Sequence, residues 1–231
     1  FDERGYLIIP DALPTEYVRE VNAALDADLR AADWPLKRGE GQRQDANILP
    51  RLPILDRLVE NPTLMPVVRR LLGDATFDEF SIMFRDPIDS VPEQHGWHRD
   101  FPRAEEFAHG LHALSLIYYL SDVTKSDHCF CVAAGTHNTG RSIEAHKHDP
   151  ADEVDVLGKA GTAVFFHTAL LHTAKLKRGS RQRRTVHIYY GHADTPQVSA
   201  YSDIPDRLRA KRDPSLPAKF YSKRREASAA S

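Results

Sequence analysis

Residues Gly161-Thr-Ala-Val-Phe-Phe-His167-Thr-Ala-Leu-Leu-His172-Thr-Ala174 are the stretch of sequence that decides the fold. The run 161–167 is apolar and aromatic, and the run 169–175 begins with the apolar residues Ala-Leu-Leu before His172. Apolar runs of this length, bounded by polar or small residues, are typical of strands inside a sandwich or barrel. The stretch therefore predicts two consecutive β-strands, each of which includes a histidine.

Similar short runs occur through most of the chain after residue 75. β-Rich runs separated by Pro, Gly, Asp and Asn lie at 76–85, 96–101, 111–120, 129–133, 161–167, 169–175 and 183–190. Many short strands with turn residues between them favour a sandwich or barrel. We therefore predict a mainly β protein with flanking α-helices. Its core is expected to be a double-stranded β-helix (a jelly roll, cupin-like) with the helices packed on one face.

The residues before these strands are predicted to be largely helical. A short strand at 5–10 is followed by a segment with apolar residues at helical spacing, and polar residues 34–50 predict a long loop. Asn61 is a capping residue before a proline and Gly73 is a natural stop, so a second helix is predicted over about 62–72. The apolar positions of the first helix are Val18, Val21, Leu25 and Leu29.

The length of 231 residues suits one domain with one substantial core. We predict a single domain, residues 1–231, with a helical N-terminal part at about 1–75 and a β-helix core at about 76–192. A polar, basic C-terminal segment follows at about 203–231. It is predicted to be a solvated surface helix and tail, with packing over the sheet or over a neighbouring subunit as the alternative.

Composition excludes some partners. The 31 basic and 33 acidic residues give a formal charge of −2, which lacks the positive field that a nucleic acid requires. No run approaches the ~18 apolar residues of a membrane span. Cys129 and Cys131 are too close in sequence for an unstrained bridge, so we expect free thiols and a cytoplasmic protein. The oligomeric state, and whether the native chain extends beyond Phe1, are left open.

The run Gly96-Trp97-His98-Arg99-Asp100 contains an H-x-D pair. In an extended strand His98 and Asp100 project to the same face, where both can reach one metal ion, while Arg99 points away. A histidine from a distant strand would complete two histidines and one carboxylate on one face of an octahedron. That open arrangement suits non-haem Fe(II). His167 and His172 are both candidates for the third ligand.

Arg183 begins another predicted strand, eleven residues after His172. A buried guanidinium can bind a carboxylate through two parallel hydrogen bonds, as the distal carboxylate of 2-oxoglutarate requires. Thr185 shares its strand face and offers a hydroxyl donor. Arg184, the next residue, is the alternative anchor.

Together these motifs resemble the phytanoyl-CoA dioxygenase family of Fe(II)/2-oxoglutarate-dependent oxygenases. The similarity covers nearly the whole chain, and several ordered motifs are more specific than any one alone. The motifs are Phe1-Asp-Glu-Arg-Gly-Tyr6, Trp97-His-Arg-Asp100, Ile117-Tyr-Tyr-Leu-Ser-Asp-Val123, Ala134-Gly-Thr-His137, Phe165-Phe-His-x4-His172 and Arg183.

The resemblance implies roles for individual residues. His98 and Asp100 match the proximal metal ligands, His172 the distal ligand, and Arg183 and Thr185 the 2-oxoglutarate contacts. It also implies that Fe(II), 2-oxoglutarate and O2 oxidise a small-molecule substrate and release succinate and CO2. Related halogenases lack the carboxylate ligand, so Asp100 favours hydroxylation or another oxidation at a C–H bond.

This chain departs from the family pattern in two places. It reads Asp127-His-Cys-Phe-Cys-Val-Ala-Ala-Gly-Thr-His137 where a Gly-rich turn and Pro-Gly-Ser-His are usual, and Ala174 stands where serine is common. The metal ligands are unaffected by these differences. They bear on the substrate, which the resemblance leaves undetermined.

Further histidines near the motifs have competing interpretations. His167 is the alternative distal ligand, although by the resemblance its position is usually not a ligand. His146 and His148 form an H-x-H pair in a polar loop that we expect to be solvated. His187 is either a pocket residue beside Arg183 or a core residue, and His137 either meets the substrate or belongs to a turn.

Two other classes of function share these features. A cupin-like metalloenzyme would keep the triad without using 2-oxoglutarate, and an inactive binding module would keep only the pocket. Scattered cations that could line an entrance for an acidic or polar small molecule are Lys37, Arg38, Arg43, Arg85 and Arg103, with ordinary surface charge as the alternative.

Overall fold

The protein is described by a computed structural model over residues 1–31, 36–38, 41–93, 95–101, 110–138, 148–197 and 202–223. Its helices are α1 (Thr15–Ala31), α2 (Asp56–Val59), α3 (Met65–Leu72) and α4 (Asp206–Ala210). Its strands are β1 (Tyr6–Ile9), β2 (Leu36–Arg38), β3 (Gln42–Asp45), β4 (Ala75–Arg85), β5 (Ala113–Tyr119), β6 (Cys129–Ala133), β7 (Glu153–Val156), β8 (Ala163–His167), β9 (His172–Lys175) and β10 (Arg183–His192).

The strands form two antiparallel sheets. The large sheet has the order β1-β8-β5-β10-β4-β3-β2, and the small sheet has the order β7-β6-β9. Ile117 and Val164 of the large sheet share a buried apolar cluster with Phe130 and Val132 of the small sheet, so the sheets pack face to face. The predicted jelly roll is thus confirmed.

Strand β5 shows how the sequence builds this arrangement. All of its residues are buried, because both faces of the large sheet are covered. Leu114, Leu116 and Tyr118 face the cluster that includes the helices, whereas Ile117 and Tyr119 face the small sheet. The period-two alternation therefore divides one apolar run between two cores.

The two longer N-terminal helices cover the outer face of the large sheet. α1 buries Val18, Val21 and Leu25, as its helical spacing predicts. α3 begins at Met65, so the predicted start near residue 62 is wrong. Asn61 explains why the helix begins later than predicted. Its side chain accepts a hydrogen bond from the Thr63 amide, and its carbonyl accepts one from the Leu64 amide in a turn, so regular helical bonding begins after this turn.

Part of the predicted loop at 34–50 is a hairpin made by β2 and β3, and β3 pairs with β4. Residues 34–35 and 39–40 of that loop lie outside the described residues. β3 was missed because it is polar: Gln42 and Gln44 face a cavity between the sheets, so the apolar alternation of a strand is absent. The predicted strand at 96–101 is likewise reduced to a single bridge at His98.

The C-terminal segment packs on the core over residues 202–223. Leu208, Leu216 and Phe220 belong to the main apolar cluster, and the Phe77 amide donates to the Phe220 carbonyl at 2.7 Å. The expectation of a solvated segment is wrong for this part, and the alternative of packing on the sheet applies. Among the described residues, none of the helices has the length and apolar character needed to cross a bilayer.

Candidate metal centre

His98, Asp100 and His172 bring one potential ligand atom each to a common point. The three atoms lie within 4.8 Å of one another. Oδ1 of Asp100 is 3.7 Å from Nε2 of His98 and 3.5 Å from Nε2 of His172. Two imidazoles and one carboxylate therefore converge, as the sequence predicted. His98 is exposed and His172 is buried, so solvent reaches the cluster from the side of His98.

A backbone bridge explains why residues so distant in sequence meet. His98 and His172 form an antiparallel pair in which each amide donates to the other's carbonyl at 2.9 Å. Arg99 points the opposite way, as predicted. It is buried and donates to the carbonyls of Thr136 and Ala169, which ties the H-x-D segment to two neighbouring turns.

Hydrogen bonds to the backbone orient both imidazoles. Nδ1 of His98 lies 2.8 Å from the Gly96 carbonyl, and Nδ1 of His172 lies 2.8 Å from the Leu170 carbonyl. A carbonyl oxygen only accepts, so in each ring Nδ1 carries the proton that is donated. Nε2 of each ring faces Asp100, and in the neutral ring it carries the lone pair that metal binding requires.

The carboxylate of Asp100 is held by a residue that sequence analysis did not identify. The Tyr189 hydroxyl donates to Oδ2 at 2.8 Å, which leaves Oδ1 towards the two histidines. Burial would raise the pKa of Asp100, but the charge and hydrogen bond of His172, together with the bond from Tyr189, outweigh burial and lower that pKa. Burial and the Asp100 charge raise the pKa of Tyr189 well above its usual value, so Tyr189 keeps its proton.

The cluster opens into a cavity of 420 Å³ between the sheets. Its side nearest His172 is apolar, because the rings of Phe130 and Phe166 lie 5.4 and 4.8 Å from the His172 ring. The side formed by β3, β4 and β10 is mostly polar. Its lining residues are Gln42, Gln44, Glu79, Ser81, Met83, Arg85, Arg183, His187 and Tyr189.

Arg183 and Arg184 have different environments. Arg183 is buried and lines the cavity, and its Nε and Nη1 have no hydrogen-bond partner among the described residues. Burial lowers its pKa from the usual value. Arg184 faces the other side of the sheet, where its Nη2 is 2.7 Å from a carboxylate oxygen of Asp26 and its guanidinium stacks on Phe84. The geometry favours Arg183 as an anion-binding residue.

Thr185 and His187 form a pair beside Arg183. The Thr185 hydroxyl lies 3.3 Å from the Met83 carbonyl and 3.0 Å from Nε2 of His187. Thr185 is not among the residues described as lining the cavity, so its contact with 2-oxoglutarate stays a prediction. His187 does line the cavity. Burial and the Arg183 charge lower the pKa of His187 to about 3, so its ring is neutral.

The other candidate histidines lie outside the described cluster. His167 is fully buried, and its Nδ1 accepts a hydrogen bond from the Ala169 amide. His137 is buried with Nε2 3.0 Å from the Asp2 carbonyl, and His148 pairs with Glu153 at 3.1 Å. His146 and Arg103 are outside the described residues, as are the side chains of Lys37 and Arg38.

Arg43 and Arg85, two of the cations predicted to line an entrance, differ in environment. Arg43 forms a two-bond ion pair with Asp86, whereas Arg85 lines the cavity. Tyr189 and Glu79 are cavity residues that sequence analysis missed. Tyr189 could have been found, because it has the same strand parity as Arg183 and faces the same side. Nothing local indicates Glu79, whose position depends on the pairing of β4 with β10.

These side chains fit a non-haem iron and a keto acid. Two histidines and one carboxylate are a ligand set that leaves metal positions open for other molecules. Arg183 offers buried donors without a protein acceptor, and a carboxylate is the group that matches them. The apolar and polar sides of the cavity leave room for a further small molecule beside these groups.

Comparisons with known proteins agree with this description. The sequence profile of the phytanoyl-CoA dioxygenase (PhyH) family matches residues 1–185. SnoN, a non-haem α-ketoglutarate-dependent epimerase from nogalamycin biosynthesis, has a similar structure, with a TM-score of 0.70 at 20% identity over 98% of this chain and 91% of that one. No curated protein sequence matches this chain.

Two further solved structures share the fold. The α-ketoglutarate-dependent carbocyclase SnoK, also from nogalamycin biosynthesis, gives a TM-score of 0.69 at 24% identity over 93% of this chain and 89% of that one. HygX from Streptomyces hygroscopicus, solved with nickel, 2-oxoglutarate and hygromycin B, gives 0.69 at 18% identity over 89% of this chain and 94% of that one.

Proposed function

The chain belongs to the phytanoyl-CoA dioxygenase family, and from this premise we propose that it is an Fe(II)- and 2-oxoglutarate-dependent oxygenase. We propose that it hydroxylates, or otherwise oxidises at a C–H bond, a small organic molecule. One observation carries the proposal: a His-Asp-His cluster and a buried arginine with unused donors open into the same cavity.

In this proposal the iron is held by Nε2 of His98, Nε2 of His172 and Oδ1 of Asp100. The backbone carbonyls that accept from the two Nδ1–H groups keep both rings in the ligating tautomer. Tyr189 holds Oδ2 of the carboxylate, so the orientation of Asp100 is set before any metal binds. Three protein ligands leave positions for the keto acid and dioxygen.

Arg183 binds the distal carboxylate of 2-oxoglutarate in this scheme. Its burial makes each charge-assisted hydrogen bond strong, and it positions the keto acid with one end at the arginine. Phe130 and Phe166 exclude water from the side nearest His172. When bound, iron and 2-oxoglutarate activate dioxygen and release succinate and CO2 as the substrate is oxidised.

The hydroxylase outcome rests on Asp100, which occupies the ligand position that halogenases leave for halide. The similar structures are those of an epimerase and a carbocyclase, so the fold accommodates more than one type of reaction. The cavity has polar residues on its β3 and β4 side and apolar rings opposite, which supports the proposal that the substrate is a small molecule. The buried free thiols Cys129 and Cys131 support a cytoplasmic location.

The test begins without oxygen. Addition of Fe(II) and 2-oxoglutarate to the protein is expected to give a visible charge-transfer band, and admission of O2 is expected to yield succinate. His98→Ala and Asp100→Ala should abolish both signals, whereas His148→Ala, a change outside the described cluster, should retain them.

Other outcomes identify the alternatives. Metal binding without the band indicates a cupin-like metalloenzyme that does not use 2-oxoglutarate. Binding of neither metal nor keto acid indicates an inactive module. Survival of metal binding and succinate formation in both ligand variants contradicts the assigned ligands.

A further inference from the structure

Ser81 and His187 place two neutral polar side chains next to each other in the cavity wall. In the antiparallel pairing of β10 with β4, His187 lies directly opposite Ser81, and both residues line the cavity. The neighbouring Ile82 belongs to the main apolar cluster, so Ser81 projects to the cavity side. Opposite residues on one sheet face have Cβ atoms about 4.5–5.5 Å apart, so one small ligand group can reach both side chains.

Both side chains have unused hydrogen-bonding capacity. Ser81 is only 2% exposed, and its hydroxyl has no hydrogen-bond partner among the residues that the structure describes. Within the same described ranges, Nδ1 of His187 also has none, and only Nε2 of that ring is bonded. A polar group removed from water without a partner costs free energy, so the pair favours a ligand that supplies the missing bonds.

The hydrogen bonds behind His187 determine which of its ring nitrogens can accept. The Thr185 hydroxyl lies 3.3 Å from the Met83 carbonyl and 3.0 Å from Nε2 of His187. The hydroxyl has one hydrogen and the carbonyl only accepts, so both contacts are hydrogen bonds when Thr185 donates to Met83 and accepts from Nε2–H. The ring is neutral, because burial and the Arg183 charge lower its pKa to about 3. Nδ1 then carries a lone pair and is an acceptor.

A hydroxyl group matches this pair better than the other groups in the proposed reaction do. Ionised 2-oxoglutarate has only acceptor oxygens, so it cannot donate to Nδ1 of His187. A substrate ammonium could donate, but the charge of Arg183 acts on the same ring and would repel it. A hydroxyl can donate to His187 while it accepts from Ser81, so one group satisfies both side chains.

The surroundings of the pair suit a substrate contact. The charges of Asp100 and His172 both act on the His187 ring, so the ring lies within electrostatic range of the candidate metal cluster. On the other side of β10, His187 lies opposite Ile117, an apolar cavity residue. A hydroxyl bound at the pair therefore has an apolar wall beside it for the adjoining carbon atoms.

We propose that Ser81 and His187 bind a hydroxyl group of the substrate, so that the substrate is a small alcohol with an apolar carbon skeleton. This inference rests on the proposed function and names the substrate class for the same site. Ser81 donates to the hydroxyl oxygen, and Nδ1 of His187 accepts the hydroxyl hydrogen. The pair distinguishes an alcohol from its methyl ether, which cannot donate.

The tautomer of His187 is the first test and needs no substrate. Zinc, which has no redox chemistry, replaces iron so that nitrogen NMR can be recorded. The neutral His187 ring is expected to carry its proton on Nε2, and His187→Phe assigns its resonances. Thr185→Val removes the acceptor of that proton and should increase the population with the proton on Nδ1. A proton on Nδ1 in the unmodified protein would overturn the proposal, because His187 would then offer a donor.

A matched pair of probes tests the hydroxyl itself. Zinc-loaded protein with 2-oxoglutarate is titrated with cyclohexanol and with methoxycyclohexane, while the Nδ1 resonance of His187 is followed. Cyclohexanol is expected to shift that resonance and to bind about two- to tenfold more tightly than the ether, the scale of one neutral hydrogen bond. Ser81→Ala and His187→Phe should lose this preference. Ser126→Ala, at an exposed position, should retain it.

Other results would overturn the proposal. Equal affinities for the alcohol and the ether, or binding of neither, mean that the pair does not recognise a hydroxyl. The 2-oxoglutarate affinity should change by less than about twofold in Ser81→Ala and His187→Phe, and a larger loss means that the pair contacts the cosubstrate.

Two further controls keep the outcomes distinct. If a variant does not fold, which its thermal unfolding midpoint reveals, the tautomer and the probe pair in the unmodified protein still decide the question. Absence of 2-oxoglutarate binding in the unmodified protein refutes the proposed function. The preference for alcohol over ether is measured separately on the zinc-loaded protein, so the two failures are distinguishable.

Discussion

The Tyr189 hydroxyl donates a 2.8 Å hydrogen bond to Oδ2 of Asp100, which links β10 of the large sheet to the carboxylate of the candidate metal cluster. Within the described residues 95–101, the backbone is held by the bridge at His98 and by the Asp100 amide, which donates to the Thr168 carbonyl at 2.9 Å. Tyr189 adds a bond to the side chain of Asp100 itself. With Oδ2 held, Oδ1 is the oxygen that faces both histidines.

Replacing Tyr189 with Phe should weaken metal binding while leaving all three ligands in place. Loss of a hydrogen bond to a metal ligand typically costs about 10–100-fold in metal affinity, and we expect a loss in this range. The measurement is titration of the metal-free protein with nickel or Fe(II) under argon.

Tyr190→Phe is the matched control. Tyr190 is the adjacent residue, points to the other face of the sheet and donates to the Val59 carbonyl at 2.7 Å. Its variant should lose some stability and retain the metal affinity. Equal metal affinities for Tyr189→Phe and the unmodified protein would show that the loop orients Asp100 without help.

Much of the candidate site could be predicted from local sequence rules. The period-two geometry of extended chain puts His98 and Asp100 on one side and Arg99 on the other, and the structure agrees. By the same rule Arg183 and Arg184 project to opposite sides of the sheet. The sequence alone does not say which side of the sheet lines the cavity. That choice depends on α1, whose Asp26 pairs with Arg184.

The remaining features depend on strand pairing that no local rule supplies. β10 lies between β5 and β4 in the sheet, and these strands are distant from it in the chain. The opposition of Arg85 and Arg183 exists only in that register. Polar cavity-facing strands such as β3 also lack the apolar alternation by which strands are recognised. Cavity walls are thus the least predictable part of such a fold.

Arg99→Met should destabilise the fold more than an ordinary arginine substitution. Arg99 is buried, and its Nη1 donates to the carbonyls of Thr136 and Ala169, which the variant would leave without that donor. Buried carbonyls that lose a charged donor cost about 1–3 kcal/mol each, so a loss of about 2–6 kcal/mol in unfolding free energy is expected for the two. Urea unfolding measures it. Arg70→Met, an exposed control, should stay within about 0.5 kcal/mol, and similar values for both variants would contradict the role given to Arg99.

Phe220→Ala tests whether the C-terminal segment is part of the folded unit. Phe220 is fully buried, lies 6.1 Å from the ring of Tyr190 and accepts a backbone bond from Phe77. Removing a buried aromatic ring costs about 3–5 kcal/mol, which urea unfolding would detect. The neighbouring exposed Lys219→Ala should have little effect. Equal stability of the two variants would mean that the segment does not pack on the core in solution.

His187 should make the metal-free protein sensitive to acid. Its pKa is lowered to about 3 in the folded protein, first by burial and then by the charge of Arg183, and its ordinary value is 6.5. Folding therefore disfavours the protonated, charged form of the His187 ring. Between these two pH values the unfolded chain binds a proton that the folded chain does not, so stability rises with pH. The contribution is fully present above about pH 6.5 and is lost as the pH falls towards 3.

Uptake of one proton on unfolding changes the unfolding free energy by about 1.4 kcal/mol per pH unit. About 2 kcal/mol of stability is therefore expected to be lost between pH 6.5 and pH 5. Urea unfolding of the metal-free protein and of His187→Gln at pH 7.5 and pH 5.0 isolates this term, because other titrating groups are common to both. The unmodified protein should lose about 2 kcal/mol more than the variant on acidification. In the folded protein at pH 5, the nitrogen resonances of the His187 ring should remain those of a neutral imidazole. A protonated His187 ring at pH 5, or equal losses of stability for both proteins, would contradict this prediction. Either result would show that the cavity tolerates a charged His187 and that Arg183 is too far from it to prevent protonation.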